Sequence, residues 1–434
     1  MTSQLTAYID SARVGWFLRE SSGGIRFVYD DDWRASAGRL ELTLSMPKSR
    51  RQHDGEAPAN FLWNLLPDNE AVLERWGARF GVSPRNPMSL LSHVGMDTAG
   101  AVQLSESDAT DLPGEGALEA ISDEDLAAHI RQLRKDPSDW LLPGHSQGAF
   151  SLAGAQSKFT LARIDGAWAV PTGRSASTHI FKPGIQGLEF GDLNEHLTMS
   201  AAAAAGLDVA ESRILRVGGE HAIVVERYDR VTDQSGSVSR VHQEDLAQAL
   251  GVHPALKYQA EGGPGVHGVM NAILGSRGRD SAKSASAFVD AVLFNWIALG
   301  TDAHAKNYSL IHDPRRGPRL APLYDVTSAL PYPAFNNRNA RFAMSFDRRY
   351  KDFEIELRHV VRECARAGLG PDDVIDRLRS LIARVPDAFS SAKAESELDG
   401  DEAAFAGRLV NAAESRVNRL RREIRRWRGD DLDG

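Results

Sequence analysis

Gly300-Thr301-Asp302-Ala303-His304-Ala305-Lys306-Asn307 is the stretch on which the reading of this chain turns. It follows Phe288 to Leu299, apolar on most faces and therefore expected to be a buried helix. Phosphoryl transfer needs a carboxylate close to the attacking hydroxyl and oxygen ligands for the metal that neutralises the phosphates. Asp302 and Asn307, five positions apart, supply both from one short loop. Downstream, Tyr308 to His312 and Arg319 to Tyr324 read as strands around the turn Asp313-Pro314-Arg315-Arg316-Gly317-Pro318. Such a hairpin is expected to return Asp325 beside Asn307, so that both ligate Mg²⁺, a hard cation that takes oxygen ligands and substrate phosphates. Asp302 is then left to orient and deprotonate a hydroxyl, and Lys306 to neutralise charge on the transferring phosphoryl group. His304 fits the holding of the loop backbone better than it fits proton transfer. Taken without its neighbours, the same spacing also fits an Asn-containing loop and an Asp that caps a turn.

Upstream, Lys158 to Ile164 and Ala167 to Val170 flank Asp165-Gly166, a two-residue hairpin signal, and Thr178 to Lys182 is a third strand closed by Pro183. Lys182, at the strand end, can reach phosphates as a compact cation, or be an ordinary edge-strand lysine. Asn194 to Ala205 reads as a helix ended by Gly206. Glu195 on it is either a partner for Lys182 or a solvated charge. Ala222 to Val225 leads into Glu226-Arg227-Tyr228-Asp229, whose backbone can hydrogen-bond the edge of a base, or which simply ends a strand with a surface ion pair. Gly148 and Gly154 flank a loop whose N–H groups can wrap phosphate oxygens. Neither Gly-x-x-x-x-Gly-Lys-Ser/Thr nor Gly-x-Gly-x-x-Gly occurs, which disfavours a P-loop ATPase and the glycine loop of eukaryotic-type kinases. Gly262-Gly263-Pro264-Gly265 reads as a chain reversal.

Further out, Leu5 to Leu44 alternates apolar runs with turns and predicts a small β-rich unit, and Phe61 to Phe80 reads as helical on either side of Pro67. Ser105 to Ala120 is polar and reads as a linker, and Ser122 to Arg134 as a helix capped by Ser122. Beyond about residue 240 the patterns are mostly helical. Arginines cluster from Arg416 to Arg428 on an amphipathic helix carrying Val417, Leu420, Ile424 and Trp427, most simply a docked helix with a solvated basic face. The whole chain has 434 residues with 51 Lys+Arg against 59 Asp+Glu, a formal charge of −8, which argues against a nucleic-acid coat or a basic membrane binder. The single cysteine, Cys364, forms no intrachain disulfide and fits a reducing cytoplasm. Ala287 to Leu299, broken by Asp290 and Asn295, is too short and too polar for a membrane span, and no secretory signal is evident at the N-terminus.

Five segments occur in order: Ser151-Leu152-Ala153-Gly154-Ala155-Gln156-Ser157-Lys158, Thr178-His179-Ile180-Phe181-Lys182-Pro183, Val225-Glu226-Arg227-Tyr228-Asp229-Arg230, Thr301 to Asn307, and Leu323-Tyr324-Asp325-Val326. Together they resemble the HipA family of serine/threonine kinase toxins from bacterial toxin–antitoxin modules. Asn64-Leu65-Leu66-Pro67-Asp68 and Gly95 to Val102 resemble its N-terminal subdomain. The resemblance implies an α+β, two-lobed protein kinase-like fold with an additional small β-rich N-terminal subdomain and a mostly helical C-terminal lobe. The expected divisions are 1–107 for that subdomain, 108–121 for a linker, 122–239 for the β-rich part of the kinase N-lobe and 240–434 for the C-lobe.

The resemblance further implies ATP and Mg²⁺ as cofactors. Lys182 would contact the ATP phosphates, Glu226 and Tyr228 would hold adenine, and Ser151, Gly154, Ala155, Gln156 and Lys158 would form the phosphate-binding loop. His304, Asn307 and Asp325 would also lie on the nucleotide. Ser151 would be autophosphorylated, expelling the loop and switching the kinase off. Ser157 departs from the Glu carried by several members. The implied partners are a helix-turn-helix antitoxin of HipB type, operator DNA through that antitoxin, and an aminoacyl-tRNA synthetase, such as glutamyl-tRNA synthetase, as protein substrate. A kinase-like corepressor and a small-molecule phosphotransferase are the alternatives.

Overall fold

The computed structural model describes residues 3–36, 40–112, 114–142, 150–335 and 339–428, so Gly148 lies outside the described residues. The chain separates into two compact units. The first comprises Met1–Glu189, Arg213–Ala255 and Ser309–Gly317, and the second Phe190–Ser212, Leu256–Tyr308 and Pro318–Gly434.

The first unit opens with β1 (Gln4–Ile9), β2 (Ala12–Arg19), β3 (Ile25–Tyr29) and β4 (Gln52–His53), joined by β5 (Gln103–Ser105) in a sheet of order β4-β3-β2-β1-β5. Alternation of Phe27 and Tyr29 on β3 buries one face of that strand, and Phe17 stacks on Phe61 at 5.9 Å to seat a helix on it. That helix is α2 (Ala57–Asn64), set between α1 (Asp31–Ala35) and the pair α3 (Glu70–Phe80) and α4 (Pro87–Val94). Pro67 falls in the break between α2 and α3, as expected of a residue without an N–H.

A second sheet follows, of order β10-β11-β9-β7-β8-β6. Its members are β6 (Gly116–Ala120), β7 (Phe159–Ile164), β8 (Ala167–Gly173), β9 (His179–Lys182), β10 (Ser212–Val217) and β11 (Glu220–Glu226). Helix α5 (Asp123–Lys135) begins where the Ser122 hydroxyl accepts the Asp125 N–H at 3.1 Å. One apolar core runs from Leu5 through Phe61, Trp76 and Trp140 to Phe159, Phe181 and Val224. The unit is completed by the hairpin β12 (Arg230–Thr232) and β13 (Val238–Arg240), by β14 (Gln243–Asp245) leading into α7 (Leu246–Ala249), and by β15 (Ser309–Asp313), which pairs antiparallel with β14.

The second unit is built on helices α6 (Gly191–Ala204), α8 (Val266–Gly275), α9 (Ser281–Ala298), α10 (Leu357–Arg366), α11 (Pro371–Glu395) and α12 (Gly400–Arg426). Strand β16 (Gly317–Leu320) and the hairpin β17 (Arg341–Phe346) and β18 (Arg349–Lys351) complete the set. Phe288, Leu293 and Trp296 of α9, Leu378 and Val385 of α11, and Phe405, Leu409 and Leu420 of α12 are all buried. Helix α9 is apolar nearly all round because it is enclosed nearly all round.

Three expectations are corrected. The segment expected to be a linker contributes β6, whose side chains are exposed but whose backbone pairs with β8 from Gly116↔Gly173 to Ala120↔Ala169, so its ladder rather than its polar composition decides its state. The strand expected over Arg319 to Tyr324 ends at Leu320, because Pro322 has no N–H to continue a ladder. Arg416 is not on a solvated face. It is 5% exposed and forks onto Asp352 at 2.8 and 2.6 Å, with a further bond to the Trp296 carbonyl at 2.8 Å. Position 416 flanks the apolar stripe of Val417, Leu420 and Ile424, which carries it inward.

Candidate active site

The loop bearing Ser151 is fixed from the N-terminal part of the first unit. Ser151 is fully buried, its hydroxyl donates to the Leu65 carbonyl at 2.6 Å, and its N–H donates to the Asp97 carbonyl at 3.0 Å. Gly154 bridges to Pro67, and its carbonyl accepts the Asp68 N–H at 3.1 Å. Gly154 has φ +105°, and a Cβ there would lie 2.5 Å from the Lys158 ammonium. Only glycine suits that position. Lys158 is buried and donates to the Ala153 carbonyl at 2.5 Å, which folds the loop onto itself. Ser157, the departure from the family pattern, donates to the Pro137 carbonyl at 2.9 Å, while Ala155 and Gln156 lie between, exposed and half-buried.

Strand β9 places Lys182 at its end, opposite Ile223 of β11, with 4% of the residue exposed. Opposite His179 on the same pair lies Glu226, an exposed residue at the end of β11. Glu195 belongs to α6 in the other unit and is 1% exposed. After Glu226 the chain is held by charge. Arg227 and Asp229 point inward and pair at 2.9 Å, while the Tyr228 hydroxyl donates to Gln243 Oε1. Gln243 Nε2 donates in turn to Asp229 Oδ2 at 3.2 Å. The surface ion pair considered for this strand end is therefore a buried one.

The loop from Gly300 to Tyr308 is closed by the end of α9. Leu299 ends that helix in the left-handed region, and the Gly300 N–H donates to the Asn295 carbonyl at 2.7 Å. The Asn295 side chain bonds Tyr308 Oη at 3.1 Å, so one residue clamps both stems. From β17, the Ala343 N–H donates to the Thr301 carbonyl at 2.9 Å.

Inside the loop the Asp302 main-chain carbonyl accepts the His304 N–H and the Asn307 side-chain amide, both at 2.8 Å. With Nδ2 so used, Asn307 has Oδ1 left to offer, an oxygen of the type Mg²⁺ takes. The Asp302 carboxylate is exposed and accepts the Tyr258 hydroxyl at 2.7 Å. Lys306 and His304 are buried, and the His304 ring stands edge-on to Tyr258 at 5.1 Å. Sequence reasoning missed Tyr258, which sits ahead of the glycine-rich turn with no spacing signal connecting it to Asp302.

The segment leading to Asp325 is anchored beside this loop after β16 ends at Leu320. Leu323 is pinned to the segment after α6, its N–H donating to Asp208 O at 2.8 Å and its carbonyl accepting the Ala210 N–H at 2.9 Å. The next residue, Tyr324, donates its hydroxyl to the Lys306 carbonyl at 2.7 Å. Asp325 follows at φ +54°, a left-handed conformation that Asp tolerates better than most residues. Ser328 then locks the segment, donating to Ala298 O at 2.6 Å and accepting the Asn194 amide at its carbonyl at 2.7 Å. Within the second unit the structure thus gathers Asp302, Lys306 and Asn307 in one loop and sets the residue preceding Asp325 against it. Within the first unit it gathers the Ser151 loop. Among the described residues there is no group of three or more His, Cys, Asp or Glu side chains that could hold a metal ion, and no helix is long and apolar enough to cross a membrane.

Comparison with known proteins points one way. The family model described as a HipA-like C-terminal domain matches residues 150–389, and the HipA N-terminal domain matches residues 5–105. The chain is 36% identical over 391 residues to a Sinorhizobium fredii protein named as the kinase Y4mE, covering 89% of this chain and 91% of the relative. It is 30% identical over 393 residues to the serine/threonine-protein kinase toxin HipA of Shewanella oneidensis, covering 87% and 86%. Its fold matches a chain of the solved complex of Shewanella oneidensis HipA, HipB and operator DNA with a TM-score of 0.83 and 27% identity, over 99% of each chain.

Proposed function

The chain belongs to the HipA family of kinase toxins, with the family's α+β, two-lobed kinase-like fold, and from that membership we propose an ATP- and Mg²⁺-dependent serine/threonine protein kinase. The observation that carries the reading is the loop from Asp302 to Asn307, where one short turn exposes the Asp302 carboxylate and ties the Asn307 amide nitrogen to the Asp302 carbonyl. Asp302 orients and deprotonates the acceptor hydroxyl, steadied by Tyr258. Lys306 neutralises charge on the transferring phosphoryl group, and Lys182 and the loop Ser151, Gly154, Ala155, Gln156 and Lys158 hold the ATP phosphates. Asn307 and Asp325 hold Mg²⁺, which when bound screens the phosphate oxygens. Glu226 and Tyr228 receive adenine, with His304 nearby in sequence to the phosphate-handling residues.

On this reading the protein acts in a reducing cytoplasm as the toxin partner of a HipB-type antitoxin, reaching operator DNA through it. It arrests growth by phosphorylating an aminoacyl-tRNA synthetase such as glutamyl-tRNA synthetase, and it modifies its own Ser151. The division into a subdomain over 1–107, an N-lobe over 122–239 and a C-lobe over 240–434 is part of the same proposal. Incubation of the purified chain with γ-labelled ATP, Mg²⁺ and cell extract tests it. Label on a protein band and on the peptide containing Ser151 is expected, and label confined to soluble metabolites would overturn it.

A further inference from the structure

Five charged side chains meet in the interior of the first unit. Those of Arg227, Arg230, Asp97 and Asp229 are 1%, 2%, 5% and 3% exposed, and Arg240 approaches Asp97 at 3.6 Å. Arg227 grips Asp229 with Nε and Nη2 at 3.0 and 2.9 Å and gives Nη1 to Ser177 Oγ at 2.9 Å. The Ser177 hydroxyl donates in turn to Asp97 Oδ2 at 2.6 Å. Arg230 donates to Asp97 Oδ1 and to the Thr98 carbonyl, both at 3.0 Å. Burial alone would raise both carboxyls, but the guanidiniums outweigh it and hold Asp97 and Asp229 below the ordinary carboxylate range. Desolvating so many charges gains little stability over apolar packing, and the return is a fixed geometry.

The network fixes two segments. On one side, Tyr228 stands between Arg227 and Asp229, and Gln243 ties its hydroxyl back to Asp229. On the other side, the residue whose carboxylate serves Arg227 and Arg230 also uses its main-chain carbonyl to hold the N–H of Ser151 at 3.0 Å. Thr98, the next residue, accepts from both arginines and forms a parallel bridge with Ser151. Gly100 closes the circuit with its N–H on Asp229 Oδ2 at 2.7 Å. Its φ is +78°, and a Cβ there would stand 2.7 and 2.8 Å from the Gln243 backbone, so the approach requires glycine.

We propose that Asp97 is a positioning residue that couples the segment Glu226–Tyr228 to the seat of Ser151, so that a base held by the segment tightens the hold on Ser151. The inference rests on the reading of Glu226–Tyr228 as the base-holding segment. Occupation of that segment restricts Arg227 and Asp229, these restrict the Asp97 carboxylate, and the Asp97 carbonyl is the acceptor that Ser151 must leave to open. Linkage requires the converse as well: an unseated Ser151 loop weakens binding of the base by the same factor.

Adenosine separates this path from direct contact, since it offers a base but no phosphate for the loop to touch. Hydrogen exchange at the Ser151 and Leu152 amides of the full chain is to be followed with and without saturating adenosine. The expected slowing in the unmodified chain is about fivefold or more, the lower end of typical site-to-site coupling. Asp97→Asn keeps the shape and removes the charge. It should bind adenosine yet lose the adenosine-dependent slowing, whereas a merely structural role would change exchange equally with and without it. If Asp97→Asn does not fold, Arg230→Lys, which breaks the bond to Asp97 and keeps a positive charge, takes its place. Adenosine binding that leaves Ser151 exchange unchanged in the unmodified chain overturns the inference alone, as does full slowing in Asp97→Asn. Absence of adenosine binding overturns the reading of Glu226–Tyr228 and the inference with it.

Discussion

Replacing Ser151 by Glu should raise the open population of its loop without unfolding the protein. The hydroxyl sits at 0% exposure, 2.6 Å from the Leu65 carbonyl and close to the Asp97 carbonyl that holds its N–H. A carboxylate there faces two carbonyl oxygens in a buried setting, at a cost on the order of 4 kcal/mol. Against this stand three local hydrogen bonds, Ser151 N–H to Asp97 O, Asp68 N–H to Gly154 O and Lys158 to Ala153 O. At about 1 kcal/mol net apiece they hold about 3 kcal/mol. Burial of Phe150 and Leu152, at 4% and 5% exposed, adds roughly 4 kcal/mol. The native loop is thus closed by about 7 kcal/mol, and Glu leaves about 3, so the open population rises by roughly 10³-fold, each 1.4 kcal/mol being a factor of ten. Chymotryptic cleavage after Phe150, read by mass spectrometry, should accelerate by about that factor, because cleavage follows the open population when reclosing is fast. Ser151→Ala leaves only the Leu65 carbonyl unpaired, at about 1–3 kcal/mol, and should accelerate cleavage roughly tenfold. A phosphoserine, with about −1.5 to −2 charges, should open the loop further still. Cleavage of the Glu variant at the native rate would refute the reasoning.

Tyr258→Phe deletes the hydrogen bond to the Asp302 carboxylate and should lower kcat roughly tenfold, as expected for about 1.5 kcal/mol from a bond to a charged group, with phosphate transfer as the assay. Arg416→Ala strands the Asp352 carboxylate, whose side chain is 2% exposed, and should cost about 3–5 kcal/mol in urea denaturation. Arg422→Ala, at an exposed position of the same helix, should stay within about 0.5 kcal/mol. Acidification should destabilise the first unit. Burial holds His129 and His179 down to about 4 and His242 to about 3, against about 6.5 in the unfolded chain. Between these values the unfolded state binds more protons, so the stability present above pH 6.5 is lost as pH falls toward 4, on the order of 2–3 kcal/mol per histidine. Urea midpoints at pH 7, 6, 5 and 4.5 (titration points set by the roughly 6.5 to 4 window) check the sign, and a flat or rising midpoint would contradict it.

The parts of this molecule that were legible in the sequence are those whose partners lie close along the chain. The helix before Gly300, the Asp165-Gly166 hairpin and the Ser122 cap each depend on neighbours within a few residues, and each appears in the structure. The segments that carry the family resemblance are likewise short and ordered. What could not be read depends on distant contacts. Ser151 looked like a residue of an open glycine loop, and its burial comes from Leu65 and Asp97, 86 and 54 positions away. Arg227 and Asp229 looked like a strand end, and their burial requires Asp97 and Gly100. Tyr258 meets Asp302 across 44 positions, with a chain reversal and two helices between them. The strand expected ahead of Asp325 forms but stops at Leu320, and the bridge of Leu323 to Val209 and the Ser328 anchor, which hold the segment beyond it, had no local signal.

Transfer of labelled γ-phosphate to protein by Asp302→Asn, beside the unmodified chain at equal concentration and with folding checked by circular dichroism, tests the central claim most directly. Removal of the base should lower the rate by roughly 10²–10⁴-fold while nucleotide affinity is retained. A variant that transfers phosphate within a few-fold of the unmodified chain would show that the loop from Gly300 to Tyr308 does not carry the chemistry.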